Sequence, residues 1–108
     1  MKVYQEIFSQ YDITVSQALL TRFDFSNKDT YASIQSVLQK QCELGIVPII
    51  NENDTISTEE IKLGDNDKLS SHVAHFLEAC LLIILSDTRG LYTKNPKQYP
   101  DAELIHVV

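Results

Sequence analysis

The feature that most constrains the fold is a short apolar segment, Ile46–Ile50, which ends abruptly in the polar sequence Asn51-Glu52-Asn53-Asp54-Thr55. Further along, Gly64 opens the sequence Gly-Asp-Asn-Asp-Lys-Leu-Ser, which is typical of a tight turn that leads into a helix. Open α/β sheets bind ligands at the carboxyl ends of their strands and at the helix N-termini that follow. We therefore predict a site for a small charged ligand where the two polar segments meet. The alternative is two solvated loops, since Asn and Asp are common turn residues.

Length and composition predict one domain with a modest core, because the chain has 108 residues and an apolar fraction of 44%. No apolar run approaches the ~20 residues that span a bilayer, and the first residues are too polar for a signal peptide. The formal charge of −6 argues against a nucleic-acid-binding surface, which needs a basic patch. These features predict a cytoplasmic protein with a small-molecule ligand, and no nucleic acid or membrane as a partner.

Two cysteines, Cys42 and Cys80, are far apart in the sequence and have no metal-ligand spacing. Each lies within or at the end of an apolar helical pattern, where cysteine usually behaves as a small hydrophobic residue. We expect both thiols to be reduced.

Hydrophobic periodicity predicts strands that alternate with helices. The predicted strands are Ile13–Thr21, Ile46–Ile50, Leu81–Leu85 and a further one that begins in Glu103–Val108. The predicted helices contain Val3–Tyr11, Tyr31–Cys42 (capped by Ser26 or Asn27 and ended by Gly45) and Leu69–Leu77 (capped by Asp65 or Asn66). Loops are predicted at Arg22–Ser26, at Asn51–Leu63 with a short hairpin over 56–61, and at Gly90–Pro100. This order predicts an α/β fold with a parallel sheet sandwiched by helices.

Six carboxylates lie between Glu52 and Asp67, and such a group can hold a ligand ammonium or a divalent metal. Glu59 and Glu60 are expected to be solvated side chains. Asp54, Asp65, Asn66 and Asp67 are the better candidates because they lie nearest the ends of predicted elements. Asp65 is equally well explained as a helix N-cap.

Other polar residues give weaker signals. Ser86 and Asp87 follow the predicted strand Leu81–Leu85, where an Asp can reach a nucleotide or a metal, although Ser-Asp is also a common turn. His72 and His75 lie three residues apart on a predicted helix, but no third metal ligand is evident. We expect them to be ordinary surface or boundary histidines, and we predict no metal-binding residues.

A pattern that covers essentially the whole chain is formed by the segments Gln17–Phe25, Val47–Thr55, Gly64–Ser70, Leu85–Asp87 with Gly90–Tyr92, and Asn95–Ile105. In this pattern the chain resembles the glutamate 5-kinases of the amino acid kinase family. The pairing of Asn-Glu-Asn-Asp with Gly-Asp-Asn-Asp separates this branch from carbamate, aspartate and uridylate kinases. The resemblance implies that residues 1–108 form a single partial amino acid kinase domain.

The resemblance also implies an activity: ATP-dependent phosphorylation of the side-chain carboxylate of L-glutamate, the first step of proline biosynthesis. ATP and Mg²⁺ are the implied cofactors. Proline is the implied feedback inhibitor, and the complete enzyme is expected to be a homo-oligomer.

By the same resemblance, Asp54 and Asn66 bind the substrate glutamate, Asn51 and Asp65 help to shape its site, and Asp67 is catalytic. Ser86 and Asp87 are implied to lie at the nucleotide. The chemistry agrees with these assignments, because a ligand ammonium favours a carboxylate and ligand carboxylates favour amide donors and helix-start N–H groups.

The sequence departs from the family in its phosphate-binding parts. The family's domain begins with a strand that carries a lysine and a Gly-Ser-Gly turn, and it ends with a Gly-rich loop and another lysine. We expect Met1 to fall within that domain and Val108 before its nucleotide-binding end, so that both parts are absent here. The chain contains three glycines, Gly45, Gly64 and Gly90, and no two have phosphate-loop spacing. The 108 residues alone are therefore expected to be inactive.

Two alternatives belong to other functional classes. One is a non-catalytic amino-acid-binding or interaction module derived from the kinase. The other is a receiver-like signalling domain, which is less favoured because the acidic residues do not cluster near the first strand.

Overall fold

The computed structural model describes residues 1–53 and 66–107 of the chain. The hairpin predicted over 56–61 and the candidate residues Asp54 and Asp65 lie outside these ranges. The elements of the described residues, in chain order, are α1 (Lys2–Ser9), β1 (Val15–Leu20), α2 (Arg22–Ser26), α3 (Lys28–Glu43), β2 (Val47–Glu52) and α4 (Asn66–Phe76). Within these residues, no helix combines the length and the apolar character that crossing a lipid bilayer requires.

Strands β1 and β2 pair in parallel, with Val15 opposite Val47 and Leu20 opposite Glu52. The Asn53 N–H donates to the Leu20 carbonyl at 2.8 Å, which extends the ladder beyond β2. A parallel pair needs a long crossover, and α3 supplies it. The predicted α/β class with parallel strands joined by a helix is confirmed.

Pro48 is accommodated in β2 because of the direction in which its backbone points. The Val47 N–H donates to the Thr14 carbonyl of the neighbouring strand at 2.9 Å. Successive residues of a strand alternate in direction, so the nitrogen of Pro48 points away from β1. The missing N–H therefore removes no hydrogen bond from the β1–β2 ladder.

Helix α3 begins after a predicted N-cap residue, Asn27, and ends before the predicted terminating glycine, Gly45. The side chain of Asn27 caps it by accepting a hydrogen bond from the Thr30 N–H at 3.1 Å. Gly45, just beyond its last turn, has a φ of +78°, a left-handed conformation that glycine adopts without steric cost.

The core of the described residues joins β1, α3 and α4. Its buried apolar side chains are Leu20, Leu38, Leu69 and Phe76. The predicted buried face of α4 is confirmed, since Val73 and Leu77 on the same face are half-buried. By contrast, the apolar residues of α1 remain largely exposed.

The loop predicted for Arg22–Ser26 is wrong, because these residues form the short helix α2. Its N-cap, Thr21, accepts a hydrogen bond from the Asp24 N–H, and the Asp24 carboxylate in turn accepts one from the Thr21 N–H at 2.7 Å. This reciprocal capping box satisfies N–H groups that a helix start otherwise leaves unpaired. The spacing Thr-x-x-Asp was visible in the sequence and could have revealed the helix.

The strand predicted for Leu81–Leu85 is also wrong. These residues have no regular secondary structure, and Leu85 is 92% exposed. An apolar run becomes a strand only when neighbouring strands pair with its backbone. In the described residues, the parallel sheet contains β1 and β2 alone, so this run has no partner there.

Two smaller expectations are corrected. In place of a strand at Glu103–Val108, the structure has a single antiparallel bridge between Tyr92 and Leu104; Val108 lies outside the described residues. Cys42 and Cys80 are free thiols, as expected, but they are exposed and not packed as small hydrophobic residues.

Candidate functional site

The carboxyl ends of β1 and β2 lie at the same edge of the sheet because the strands are parallel. Thr21 follows β1 at this edge, and Asn53 follows β2. Helix α2 begins one residue beyond Thr21. Thr21 is buried, with 3% of its surface exposed, and its capping box fixes how the chain leaves the strand. A capped strand-to-helix turn therefore lies beside the end of β2, since the Asn53 N–H donates to the carbonyl of Leu20, the residue before Thr21.

Asn51 lies on β2, opposite Leu19 of β1, with an exposed side chain. Its amide oxygen accepts a hydrogen bond from the Glu52 N–H at 2.8 Å. Side chains alternate along a strand, so Asn51 points to the face of the sheet opposite to that of Ile50.

Asn66 and Asp67 form the exposed first turn of α4. Asn66 lines a groove of about 440 Å³ together with Ile50 of β2 and with apolar side chains of α4. The groove places the start of α4 against the carboxyl half of β2. Asn51 does not line this groove. The carbonyl of Asp67 accepts the Ser70 hydroxyl at 2.8 Å, a contact that leaves its carboxylate uninvolved.

Ser86 and Asp87 lie in an exposed turn after the irregular apolar run. The Ser86 hydroxyl is 3.2 Å from the Thr88 hydroxyl and accepts the Thr88 N–H at 3.3 Å. The Asp87 carboxylate is paired with the Lys97 ammonium at 2.8 Å. The hydrogen bond from Lys97, and then its positive charge, lower the pKa of Asp87 below the ordinary value of an aspartate. Asp87 is therefore held as an anion next to a cation.

A second cavity, of about 650 Å³, lies between α2, the start of α3 and α4. We call it the basic cleft; its lining residues are Arg22, Phe25, Ser26, Tyr31, Lys68, His72 and His75. The prediction of His72 and His75 as surface residues is confirmed by their exposure. The cleft could not be predicted from the sequence while Arg22–Ser26 was interpreted as a loop, although the helical spacing of α4 was recognised.

Across residues 1–53 and 66–107, no three His, Cys, Asp or Glu side chains come together as metal ligands would. Mg²⁺ is commonly held by one or two carboxylates together with substrate phosphates, so this finding excludes only a cation cage built by the described side chains alone.

Comparison with known proteins identifies the family. The model of the amino acid kinase family matches residues 1–108. A glutamate 5-kinase of Alkaliphilus oremlandii is 51% identical over 108 residues, which is 100% of this chain and 41% of that protein. The chain is also similar to the glutamate 5-kinase of Citrifermentans bemidjiense, with 47% identity over 100% of this chain and 29% of that protein. It is similar to that of Cupriavidus metallidurans as well, with 47% identity over 97% of this chain and 28% of that protein. The chain thus spans less than half the length of each of these curated relatives. It belongs to the amino acid kinase family.

Proposed function

We propose that this chain forms the glutamate-binding part of an ATP-dependent glutamate 5-kinase. The complete enzyme would phosphorylate the side-chain carboxylate of L-glutamate, the first step of proline biosynthesis. The observation that carries the proposal is the 51% identity, over all 108 residues, to a protein named glutamate 5-kinase. The groove between Asn66 and β2 supports it, because it brings the start of α4 to the strand end that the ligand site needs.

In this proposal, Asp54 attracts the ammonium group of glutamate, and Asn66 donates its amide hydrogens to a ligand carboxylate. Asn66 is exposed at the first residue of α4, where the helix N-terminus also favours negative charge. Asn51 and Asp65 are proposed to shape the same site. Asn51 lies on the opposite face of β2 from the groove and its amide oxygen is bonded to the Glu52 N–H, so we propose that it shapes the strand end without contact to the ligand.

The proposed reaction needs no general base, because a glutamate side chain with a pKa of about 4.3 is already ionised at neutral pH. Catalysis depends mainly on the alignment of two anions and on the stabilisation of charge at the transferred phosphoryl group. We propose that Asp67, in the first turn of α4, acts by orienting the reacting groups.

ATP is the proposed phosphoryl donor, and Ser86 and Asp87 are its proposed contacts. The ion pair with Lys97 supports this assignment, since it places a cation beside the turn that would meet a nucleotide. Mg²⁺ would enter as a complex with ATP, where it neutralises phosphate charge. Proline as a feedback inhibitor, a homo-oligomeric complete enzyme and a cytoplasmic location remain proposals that rest on the same family relationship.

Isothermal titration calorimetry of the chain with L-glutamate tests the binding proposal. We expect saturable binding that Asn66→Ala weakens at least tenfold, because the amide donor is lost at the helix start. Gln5→Ala is the matched control, since Gln5 is an exposed amide on α1, and it should bind glutamate like the unaltered chain. The absence of glutamate binding, or an equal loss in both variants, would refute the proposed site.

A coupled ADP-release assay with glutamate, ATP and Mg²⁺ tests the catalytic expectation. We expect no turnover by the 108 residues alone, because their three glycines provide no phosphate loop. Turnover by the pure chain would contradict that expectation. The same glycine count favours a second candidate, the non-catalytic amino-acid-binding module, which predicts glutamate binding without any affinity for ATP in calorimetry.

A further inference from the structure

The basic cleft concentrates positive charge in an acidic protein. Two of the chain's nine Lys and Arg residues and two of its three histidines line this one cavity, although the formal net charge is −6. Among the described residues that line the cleft, none is a carboxylate. Asp24 of the adjacent α2 directs its carboxylate to the N–H and hydroxyl of Thr21, at 2.7 and 3.2 Å. The charge of the lining is therefore complementary to an anion with more than one negative charge.

The donors in the cleft suit phosphate oxygens. Arg22 is the first residue of α2, and Lys68 lies in the first turn of α4, so both cations occupy ordered helix starts. Each also takes part in other interactions of the protein. A guanidinium presents a planar fork that bonds phosphate bidentately, and an ammonium adds a compact charge. His72 and His75 belong to the same lining, and an imidazole ring offers at least one N–H donor.

One wall of the cleft is aromatic and is held in place by packing. The Phe25 ring lies 5.2 Å from the His72 ring and 5.5 Å from the ring of the buried Phe76. Tyr31 packs edge-on against the same Phe76 ring at 4.6 Å. The cavity volume of about 650 Å³ exceeds what an inorganic phosphate occupies and is typical of a site for a small organic molecule.

We propose that the basic cleft binds a phosphorylated small molecule. Its phosphate group contacts Arg22, Lys68 and the two histidines, and its organic body lies against Phe25 and Tyr31. The inference does not rest on the proposed function, because glutamate carries no phosphate and its proposed contacts lie elsewhere. Failure of glutamate binding would leave this site untouched, and the reverse also holds.

Calorimetry of the whole chain with pyrophosphate and with AMP tests the proposal. Both should bind, and Arg22→Gln or Lys68→Gln should weaken each at least tenfold. Lys40→Gln is the matched control, because it removes the same charge from an exposed position on α3 and should leave affinity unchanged. No binding of either probe, or an equal loss in the control, would overturn the proposal.

Two further readouts locate the ligand. In NMR spectra, AMP should shift the imidazole resonances of His72 and His75 but not those of His106, which is outside the cleft; equal shifts at all three would show non-specific association and overturn the proposal. AMP should also bind more tightly than inorganic phosphate if the aromatic wall contacts the organic body. Equal affinities would refute the proposed contact with Phe25 and Tyr31.

Discussion

Phe76 anchors α4 to the rest of the fold, and its replacement by alanine is the most informative change to the core. The side chain is 1% exposed and packs edge-on against Phe25 and Tyr31, at 5.5 and 4.6 Å between ring centroids. The Phe76 carbonyl also accepts a hydrogen bond from the Gln35 amide at 2.7 Å, which links α4 to α3. Loss of the ring would therefore loosen the contacts of α4 with both α2 and α3.

The loss of stability expected on replacement of Phe76 can be estimated from these contacts. Truncation of a buried Phe to Ala costs about 3–5 kcal/mol in free energy of unfolding, which includes the cavity that it leaves. The total free energy of unfolding of a single domain is only about 5–15 kcal/mol, so Phe76→Ala should remove a large part of it. Phe76→Leu retains most of the volume but loses both aromatic pairs, at about 0.5–1.5 kcal/mol each, and should cost at least about 1 kcal/mol.

Urea unfolding followed by far-UV circular dichroism, with linear extrapolation, measures these free energies. Phe23→Ala is the control, because Phe23 lies on α2 with 56% of its surface exposed. We expect that variant to stay within about 0.5 kcal/mol of the unaltered chain. If Phe76→Ala were no more destabilising than Phe23→Ala, the assignment of Phe76 to the centre of the core would be wrong.

Two further predictions concern the capping box and the Asp87 ion pair. Thr21→Val should cost about 1 kcal/mol in urea unfolding, since the hydroxyl that caps α2 at Asp24 is removed, whereas the exposed Thr14→Val should have little effect. In an NMR pH titration, the pKa of Asp87 should lie below the ordinary aspartate value of 3.8, and Lys97→Gln should return it toward that value. Because the folded-state pKa is lowered, the stabilisation by this pair is present above the ordinary aspartate pKa and is lost as the pH falls through the folded-state pKa. An Asp87 pKa that does not respond to Lys97→Gln would contradict the geometry.

Some of the fold could be predicted because its causes are local. Helix α3 follows from apolar spacing, from the Asn27 cap and from Gly45, all of which act on residues near them in the sequence. Strands β1 and β2 follow from short apolar runs on either side of a helix, which require parallel pairing. The start of α4 at Asn66 follows from the turn sequence before it.

Other features depended on contacts that the sequence pattern does not contain. The run Leu81–Leu85 has the composition of a buried strand, but it remains irregular in the described residues because no neighbouring strand pairs with it. Helix α2 was not predicted because a helix of five residues is too short to show the helical periodicity of apolar residues. Its capping-box spacing, Thr-x-x-Asp, is nevertheless present in the sequence.

The parallel α/β class, the caps of α3 and the segments that resemble glutamate 5-kinases could be recognised in the amino-acid sequence. Tertiary packing was needed to bring Asn66 into one groove with Ile50, with Asn51 on the opposite face of the strand, and to bring Arg22 and Lys68 into one cleft. The physical reason is that periodicity and capping act between neighbours in the chain, whereas a site arises where distant segments pack together.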